Sequence, residues 1–156
     1  MAIRKAEKRD IPRLLDLLSQ VLEVHHSGRP DIFKGGAVKY TGVELEELLS
    51  DSERPVFVCC NEEDTVIGYC FCIIESVEGN NILNDRKTLY IDDLCVDEKI
   101  RGQHVGADLY RYAVDFAKSI GAYNVTLNVW TLNGGALEFY KKLGMEPMKI
   151  YMEEIL

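Results

Sequence analysis

Two neighbouring carboxylates, Asp92 and Asp93, lie within an otherwise apolar run, TLYIDDLCV. Burying a carboxylate in such a run is costly unless it is solvated or has a partner. Beside an amine, a carboxylate pair can attract the ammonium form, orient it and offer a route for its proton, through water if needed. Alternatively, either aspartate caps a loop or binds a backbone amide. The residues alone leave both interpretations open.

The segment that follows, DEKIRGQHVGADL, is typical of a strand that leads through a glycine loop into a helix. Gly102 and Gly106 let a ligand approach the backbone, and N–H groups at a helix N-terminus can hold a pyrophosphate. The glycine spacing does not fit a dinucleotide-binding fingerprint, and the lysine and hydroxyl of a P-loop are absent. A glycine-terminated turn without a ligand is the alternative.

Four residues elsewhere carry side chains suited to chemistry. Tyr140 lies in the helical segment GALEFYKKL, where its phenol either packs in the core or donates a proton, since a group with a pKa of about 10 is protonated at neutral pH. Asn133 begins that segment as an N-cap, a ligand contact or both. His25 and His26 end the first predicted helix, where partial positive charge is favoured, or face a cleft.

The hydrophobic pattern predicts one α/β domain over residues 1–156. We expect a short strand in AIRKA, a helix from Asp10 as N-cap to about His26, and a second short helix with Leu45, Leu48 and Leu49 on one face. PVFVCC and TVIGYCFCII predict an antiparallel hairpin, and TLYIDDLCV a third strand. A helix from Val105 to Gly121 and a strand in YNVTLNVW complete a parallel strand–helix–strand unit. A short helix and a final strand, MKIYMEEIL, follow.

Composition narrows the class of function. The net charge is −8 and no stretch is densely basic, which argues against a nucleic-acid partner. No apolar run approaches the ~20 residues that span a bilayer, and MAIRKAEKRD lacks the apolar centre of a signal peptide. Five cysteines in apolar runs favour reduced thiols in the cytoplasm. No metal is expected, because Cys70 and Cys72 have no second pair at ligand spacing.

The loop and the later helical segment together resemble the GNAT superfamily of acetyl-CoA-dependent N-acetyltransferases. The segment from Arg101 to Gly106 occupies the frame of its pyrophosphate loop, Arg/Gln-x-x-Gly-x-Gly/Ala, and LNVWTLNGGALEFYKKLGM resembles its second motif. The resemblance is strong from Leu89 to Met145 and elsewhere extends only to element order. His104 stands where the family often has its middle glycine, and we expect it in the first helical turn, where histidine is unstrained.

The resemblance implies a mixed, mostly antiparallel twisted sheet flanked by helices and opened between the strands that end at Val96 and near Trp130. Acetyl-CoA, as co-substrate, is expected in that opening. The implied cofactor contacts are Leu94, Cys95 and Val96 along the pantetheine arm, Arg101, Gly102, Gln103, His104, Val105, Gly106 and Ala107 around the pyrophosphate, and Asn133 and Tyr140 from the last helix.

The implied catalytic residues are Tyr140, as the acid for the departing thiolate, together with Asp92 and Asp93. Asp92 matches the position of the base proposed for diamine acetyltransferases. Direct transfer in a ternary complex is preferred to an acetyl-cysteine at Cys95, because no base is tied to that thiol. The expected acceptor is a small primary amine, polyamine or amino-acid-like, and a homodimer is expected. The alternative is a non-catalytic acyl-CoA-binding or sensor domain.

Overall fold

Five strands form the central sheet: β1 (Ala2–Lys5), β2 (Val56–Cys60), β3 (Val66–Val77), β4 (Arg86–Val96) and β5 (Asn124–Leu127). The computed structural model describes every residue from Met1 to Leu156 and places the strands side by side in their sequence order. Neighbouring strands are antiparallel except for β4 and β5, which are parallel. The mixed, mostly antiparallel sheet predicted from the sequence is confirmed.

Four helices cover the two faces of the sheet: α1 (Ile11–Gly28), α2 (Gly42–Leu49), α3 (Val105–Ser119) and α4 (Gly134–Lys142). Side chains alternate between the faces along each strand, so the sheet contributes to two cores. Leu14, Leu17 and Tyr69 are fully buried on the α1–α2 side. Leu89 and Leu109 are fully buried on the α3 side, which α4 joins. None of the helices is long and apolar enough to cross a membrane.

The sheet opens between β4 and β5. These strands pair only from Thr88 opposite Asn124 to Ile91 opposite Leu127, and the Thr88 hydroxyl donates to the Asn124 amide oxygen (2.7 Å) at the start of the pair. Beyond Ile91, the rest of β4 is paired with β3 alone. This separation accounts for the short β5, which covers only half of the predicted strand YNVTLNVW.

One prediction about the N-terminal elements needs correction. Helix α1 ends at Gly28, close to the predicted end at about His26. Asp10 occupies the N-cap position but does not cap with its side chain, because its own backbone is helical (φ −82°, ψ −14°). Its carboxylate instead accepts from Arg4 and from the Glu7 backbone N–H, both at 2.7 Å.

The prediction of a final strand in the segment MKIYMEEIL is wrong. Residues 146–156 form no strand and make no backbone hydrogen bond within the chain. The apolar pattern that suggested a strand is present, but a strand is defined by its pairing, and the backbone of this segment pairs with no strand of the sheet. In this chain the segment leaves the sheet, and its large apolar side chains are exposed.

The close contact of β3 with α3 gives a test of the packing. A Cβ at Gly68 would stand 3.0 Å from the Cys95 carbonyl oxygen and 3.1 Å from the Leu109 side chain. We therefore expect Gly68→Ala to lower the free energy of unfolding by about 1–3 kcal/mol in urea denaturation. Gly134→Ala is the matched control, because nothing lies within 4 Å of its added Cβ. Equal effects of the two variants would contradict the packing described.

Candidate active site

A bulge in β4 creates the candidate site at the point where β4 leaves β5. Asp93 lies opposite Phe71 and Ile91 lies opposite Cys72, so Asp92 is an extra residue in the strand. An extra residue bends its strand and redirects side chains. Both carboxylates consequently lie on the α1–α2 side, where Asp92 contacts Lys39 and Asp93 contacts Tyr69.

Asp93 is the charged centre of the site. The Tyr69 hydroxyl donates to its carboxylate at 2.8 Å, and Tyr69 is fully buried. Burial raises the pKa of Asp93 above its usual value, although Lys39 and the Tyr69 hydrogen bond act in the opposite direction. Burial and the charge of Asp93 in turn raise the pKa of Tyr69, which keeps this phenol protonated. The result is a poorly solvated carboxylate held in one position.

Asp92 has a different environment. Lys39, from the segment between α1 and α2, places its ammonium 3.1 Å from the Asp92 carboxylate, and both side chains are about one-quarter to one-third exposed. Burial would lower the pKa of Lys39, but the charges of Asp93 and Asp92 outweigh it and raise that pKa. The ammonium therefore stays charged and shields Asp92.

An aromatic wall, formed by His25, Phe33 and Trp130, borders this charged centre. His25 stacks on Phe33 with ring centroids 4.9 Å apart, and Phe33 meets Trp130 edge-on at 5.1 Å. Burial lowers the pKa of His25, while the charge of Asp93 opposes that shift. His25 thus faces the site as a neutral ring at neutral pH. His26 does not join it, because its Nδ1 contacts the Phe33 carbonyl oxygen at 2.8 Å.

Tyr140 lies on the α3 side, packed against Tyr110 with centroids 6.1 Å apart. Its hydroxyl makes no hydrogen bond to the protein. No fully buried polar side-chain atom lacks a partner in this structure, so the Tyr140 hydroxyl is accessible rather than enclosed in the core. Burial, followed by the neighbouring Cys70 and Asp93, raises its pKa above the usual value. The phenol is therefore a protonated donor that is free to bond a ligand.

The loop between β4 and α3 has an unusual run of free donors. No backbone N–H from Arg101 to Ala107 donates to an acceptor in the protein, and the first amide of this region to do so belongs to Asp108 (to the His104 carbonyl oxygen, 3.0 Å). Seven consecutive free amides at a helix N-terminus match the requirements of a pyrophosphate. Gly106 keeps this backbone close to its neighbours, since a Cβ there would stand 3.3 Å from the Phe139 ring.

The prediction that His104 adopts an unstrained helical conformation is wrong. His104 is the N-cap of α3 with φ +62° and ψ +3°, in the left-handed region. Its side chain makes no capping bond. A non-glycine residue there costs about 1–2 kcal/mol. The conformation turns the chain from the loop into α3 and leaves the amides on both sides of His104 free.

The remaining predicted residues lie as follows. Asn133 caps α4, where its side-chain oxygen accepts from the Ala136 N–H at 3.2 Å. Leu94 and Val96 are half-buried on the α3 side. Cys95 is buried on the other face, near the Leu17 carbonyl oxygen, and burial followed by the charge of Asp93 raises its pKa to about 12. A thiol with that pKa is protonated at neutral pH and is a poor nucleophile.

Sequence analysis did not identify Lys39, Tyr69, Phe33 or Trp130 as part of the site. Tyr69 could have been found from a correct β3–β4 register, because it lies opposite Cys95, two pairs from Asp93 along the strands and therefore on the same face. The bulge at Asp92 conceals that register. Lys39 and Phe33 lie in a segment without a motif, and no sequence signal indicates that it folds over β4.

Comparison with known proteins identifies the class of the chain. Residues 18–145 match the pattern of the Acetyltransferase (GNAT) family. The chain is 30% identical over 110 residues to glucosamine 6-phosphate N-acetyltransferase of Arabidopsis thaliana, covering 70% of this chain and 71% of that protein. It is 31% identical over 105 residues to peptidyl-lysine N-acetyltransferase YjaB of Salmonella typhimurium, covering 66% and 59%. It spans only 44% of an uncharacterized N-acetyltransferase of Methanocaldococcus jannaschii.

Solved structures share the whole fold. A mutant of the BH1408 protein from Bacillus halodurans superposes with a TM-score of 0.96 at 29% identity, over 100% of this chain and 99% of that one. The crystal structure of the Arabidopsis glucosamine-6-phosphate N-acetyltransferase gives a TM-score of 0.72 at 27% identity, over 99% and 97%. The acetyltransferase resemblance noted in the sequence is confirmed.

The strained residue in the loop provides one prediction. His104→Gly should raise the free energy of unfolding by about 1 kcal/mol, because glycine adopts positive φ without the steric cost. Thermal denaturation measures the change. His104→Ala is the matched control: it removes the imidazole but retains the strain, and should not stabilise. A loss of stability in the glycine variant would contradict the account of this turn.

The free amides provide a second prediction. Gly106→Pro removes one N–H from the run and should weaken binding of coenzyme A at least about tenfold in calorimetric titration, as expected for the loss of a charge-assisted hydrogen bond. Gly106→Ala keeps the N–H and adds only a Cβ near Phe139, so it controls for steric disturbance. Unchanged affinity for coenzyme A in a folded Gly106→Pro variant would show that the cofactor does not bind at this loop.

Proposed function

Since this chain belongs to the GNAT family of acetyltransferases, we propose that it transfers the acetyl group of acetyl-CoA directly to a small primary amine. The observation that carries the proposal is the position of Asp93, a half-buried carboxylate at the opening of the sheet, with a protonated phenol on the other face. The family uses acetyl-CoA, and the seven free amides from Arg101 to Ala107 suit its pyrophosphate.

Acetyl-CoA supplies an activated thioester when bound, and residues of this chain would hold it along β4. The β5-facing edge of β4 beyond Ile91 has no strand partner, so the backbone of Leu94, Cys95 and Val96 can bond the pantetheine amides as an added strand would. An N–H of that edge can also stabilise the carbonyl oxygen as negative charge develops on it. In this proposal Asn133, the N-cap of α4, and Tyr140, within α4, contact the bound acetyl-CoA from the side of that helix.

Asp93 handles the proton of the acceptor in this proposal. A primary amine arrives as an ammonium and must lose a proton before its nitrogen forms the new C–N bond. Asp93 favours the cation by charge, and its raised pKa brings it closer to that of the ammonium than a solvated carboxylate would be. A water relay completes the proton transfer where the carboxylate does not reach. Shielding by Lys39 makes Asp92 the weaker candidate for this step and gives it a role in holding Lys39.

Tyr140 completes the reaction on the other side of the sheet. When the C–S bond breaks, the electron pair stays on the sulfur of coenzyme A, and the phenol donates its proton or a strong hydrogen bond to that thiolate. The products are an N-acetylated amine and the free thiol of coenzyme A. The protonated Cys95, buried on the opposite face, takes no part, which supports direct transfer.

The acceptor is a small basic amine, a polyamine or an amino-acid-like amine. The net charge of −8 and the half-buried Asp93 favour a cation, and the faces of Phe33 and Trp130 stabilise one at short range. The relatives named for glucosamine 6-phosphate and for peptidyl-lysine both act on primary amines, which supports the amine class. We also propose a cytoplasmic location, which the five free, buried cysteines support.

Replacement of the proposed acid tests its role. Tyr140→Phe should lower kcat roughly 100-fold, within the range of general acid catalysis, while coenzyme A affinity stays nearly unchanged. Tyr110→Phe is the matched control, since it removes a hydroxyl from the ring that packs against Tyr140. If kcat of Tyr140→Phe stays within a factor of two of the parent, Tyr140 is not the acid and has only a packing role.

Replacement of the half-buried Asp93 carboxylate should separate activity from stability. Because the folded-state pKa of Asp93 is raised, its ionisation opposes folding, and the cost is present once the pH exceeds the folded pKa. Asp93→Asn should therefore raise the melting temperature at pH 7–8, keep the acceptor for the Tyr69 hydroxyl and lower kcat/KM for amines roughly 100-fold.

Asp92→Asn is the control for that experiment. Its pair with Lys39 is partly exposed and should contribute at most about 1 kcal/mol to stability. We expect a smaller loss of activity and no rise in melting temperature. A larger loss of activity in Asp92→Asn than in Asp93→Asn would reassign the proton-handling role to Asp92.

A further inference from the structure

Lys39 contributes a positive charge to the candidate active site. Its ammonium lies 3.1 Å from the Asp92 carboxylate, and the charges that act on Asp93 are those of Lys39, Asp92 and His25. Because burial lowers the pKa of His25, its ring is neutral at neutral pH. Two ionised carboxylates and one ammonium therefore leave a single uncompensated negative charge at the site.

The residue that follows Lys39 anchors it beside the charged centre. The Tyr40 ring stacks on Phe71 with centroids 6.1 Å apart and an angle of 15° between the ring planes. Phe71 is buried and meets Tyr69 edge-on at 4.9 Å, and Tyr69 donates the hydrogen bond that holds Asp93. Three aromatic rings thus connect the backbone at Lys39 to the carboxylate of Asp93.

The start of α2 fixes the same segment from its other side. Arg54 donates to the Tyr40 hydroxyl at 3.2 Å, and the Thr41 hydroxyl caps α2 by accepting from the Glu44 N–H, also at 3.2 Å. The Lys39 ammonium lies 5.6 Å from the centroid of the Tyr40 ring, within the range of a cation–π contact. These contacts keep the ammonium in the site when an acceptor binds.

We propose that Lys39 determines the charge of the acceptor, so that the site takes an amine with one positive charge and disfavours diamines and polyamines. This inference rests on the proposed acetyl transfer and narrows its acceptor. The reactive ammonium at Asp93 compensates the remaining negative charge. A second ammonium meets Lys39 with no carboxylate left to pair with it, and a built-in repulsion of this kind discriminates between substrates.

The rest of the site suits an uncharged carbon skeleton. The neutral ring of His25 stacks on Phe33, and Phe33 contacts Trp130, so the wall beside the carboxylates is aromatic and carries no charge of its own. Such a wall can pack against the alkyl or aryl part of a monoamine. It offers no anion to a second ammonium.

Pentylamine and putrescine are a matched pair of acceptors for the test, because putrescine has an ammonium where pentylamine has its terminal methyl group. Both are protonated at neutral pH, since an alkylammonium has a pKa of about 10. The measurement is kcat/KM for each amine, from release of the coenzyme A thiol. After correction for the second reactive end of putrescine, we expect the parent to prefer pentylamine at least about tenfold.

Variants at the ion pair assign this preference to Lys39. Lys39→Met is neutral and of similar length, and should lower the preference for pentylamine at least about tenfold. Lys39→Arg is the matched control: it keeps the charge and should keep the preference. Asp92→Asn leaves the Lys39 charge uncompensated and should strengthen the preference. A general disturbance of the site lowers kcat/KM for both amines and leaves their ratio unchanged.

The results that contradict the proposal are distinct. Equal or better use of putrescine by the parent would show that a second ammonium displaces Lys39, and would overturn it. A ratio that is the same in Lys39→Met, Asp92→Asn and the parent would overturn it as well. Absence of thiol release with either amine in the parent would contradict the proposed acetyl transfer itself, and this inference with it.

Discussion

The loss of pairing between β4 and β5 after Ile91 is the constraint on which the rest of the site depends. A parallel pair must end where one strand bends, and the extra residue at Asp92 bends β4 there. The same bulge brings two adjacent carboxylates to one face, although alternation would separate them. The opening, the free backbone of β4 and the charged centre therefore share one cause.

The electrostatics of the site follow from the burial that this geometry produces. Asp93 is held by Tyr69 and faces Lys39, His25 and, across the strand, Tyr140. Burial, together with the charge of Asp93, raises the pKa of Tyr69 and of Tyr140, so both phenols remain proton donors. A poorly solvated base on one side and a protonated donor on the other is an arrangement suited to proton removal at one substrate and protonation at the other.

Local sequence signals predicted the helices and strands well where a segment with the hydrophobic pattern of an element also packs or pairs as that element in the fold. The hairpin of β2 and β3, the parallel β4–α3–β5 unit and the glycine loop could all be read from hydrophobic spacing and glycine positions. The final strand could not be predicted correctly, because hydrophobic periodicity does not show whether a segment pairs with a strand of the sheet. The conformation of His104 was also missed, since the chain accepts a strained residue to keep a turn that glycine would form without cost.

The contacts of the site required the tertiary structure. No motif marks Lys39 or Phe33, and the partner of Asp93 depends on a register that a single inserted residue shifts.

The most direct measurement of the central claim is release of the coenzyme A thiol from acetyl-CoA with and without added amines. The account predicts amine-dependent thiol release that is fastest with polyamines or other small basic amines. Tight binding of acetyl-CoA with no amine-dependent release, or a preference for anionic acceptors, would contradict it.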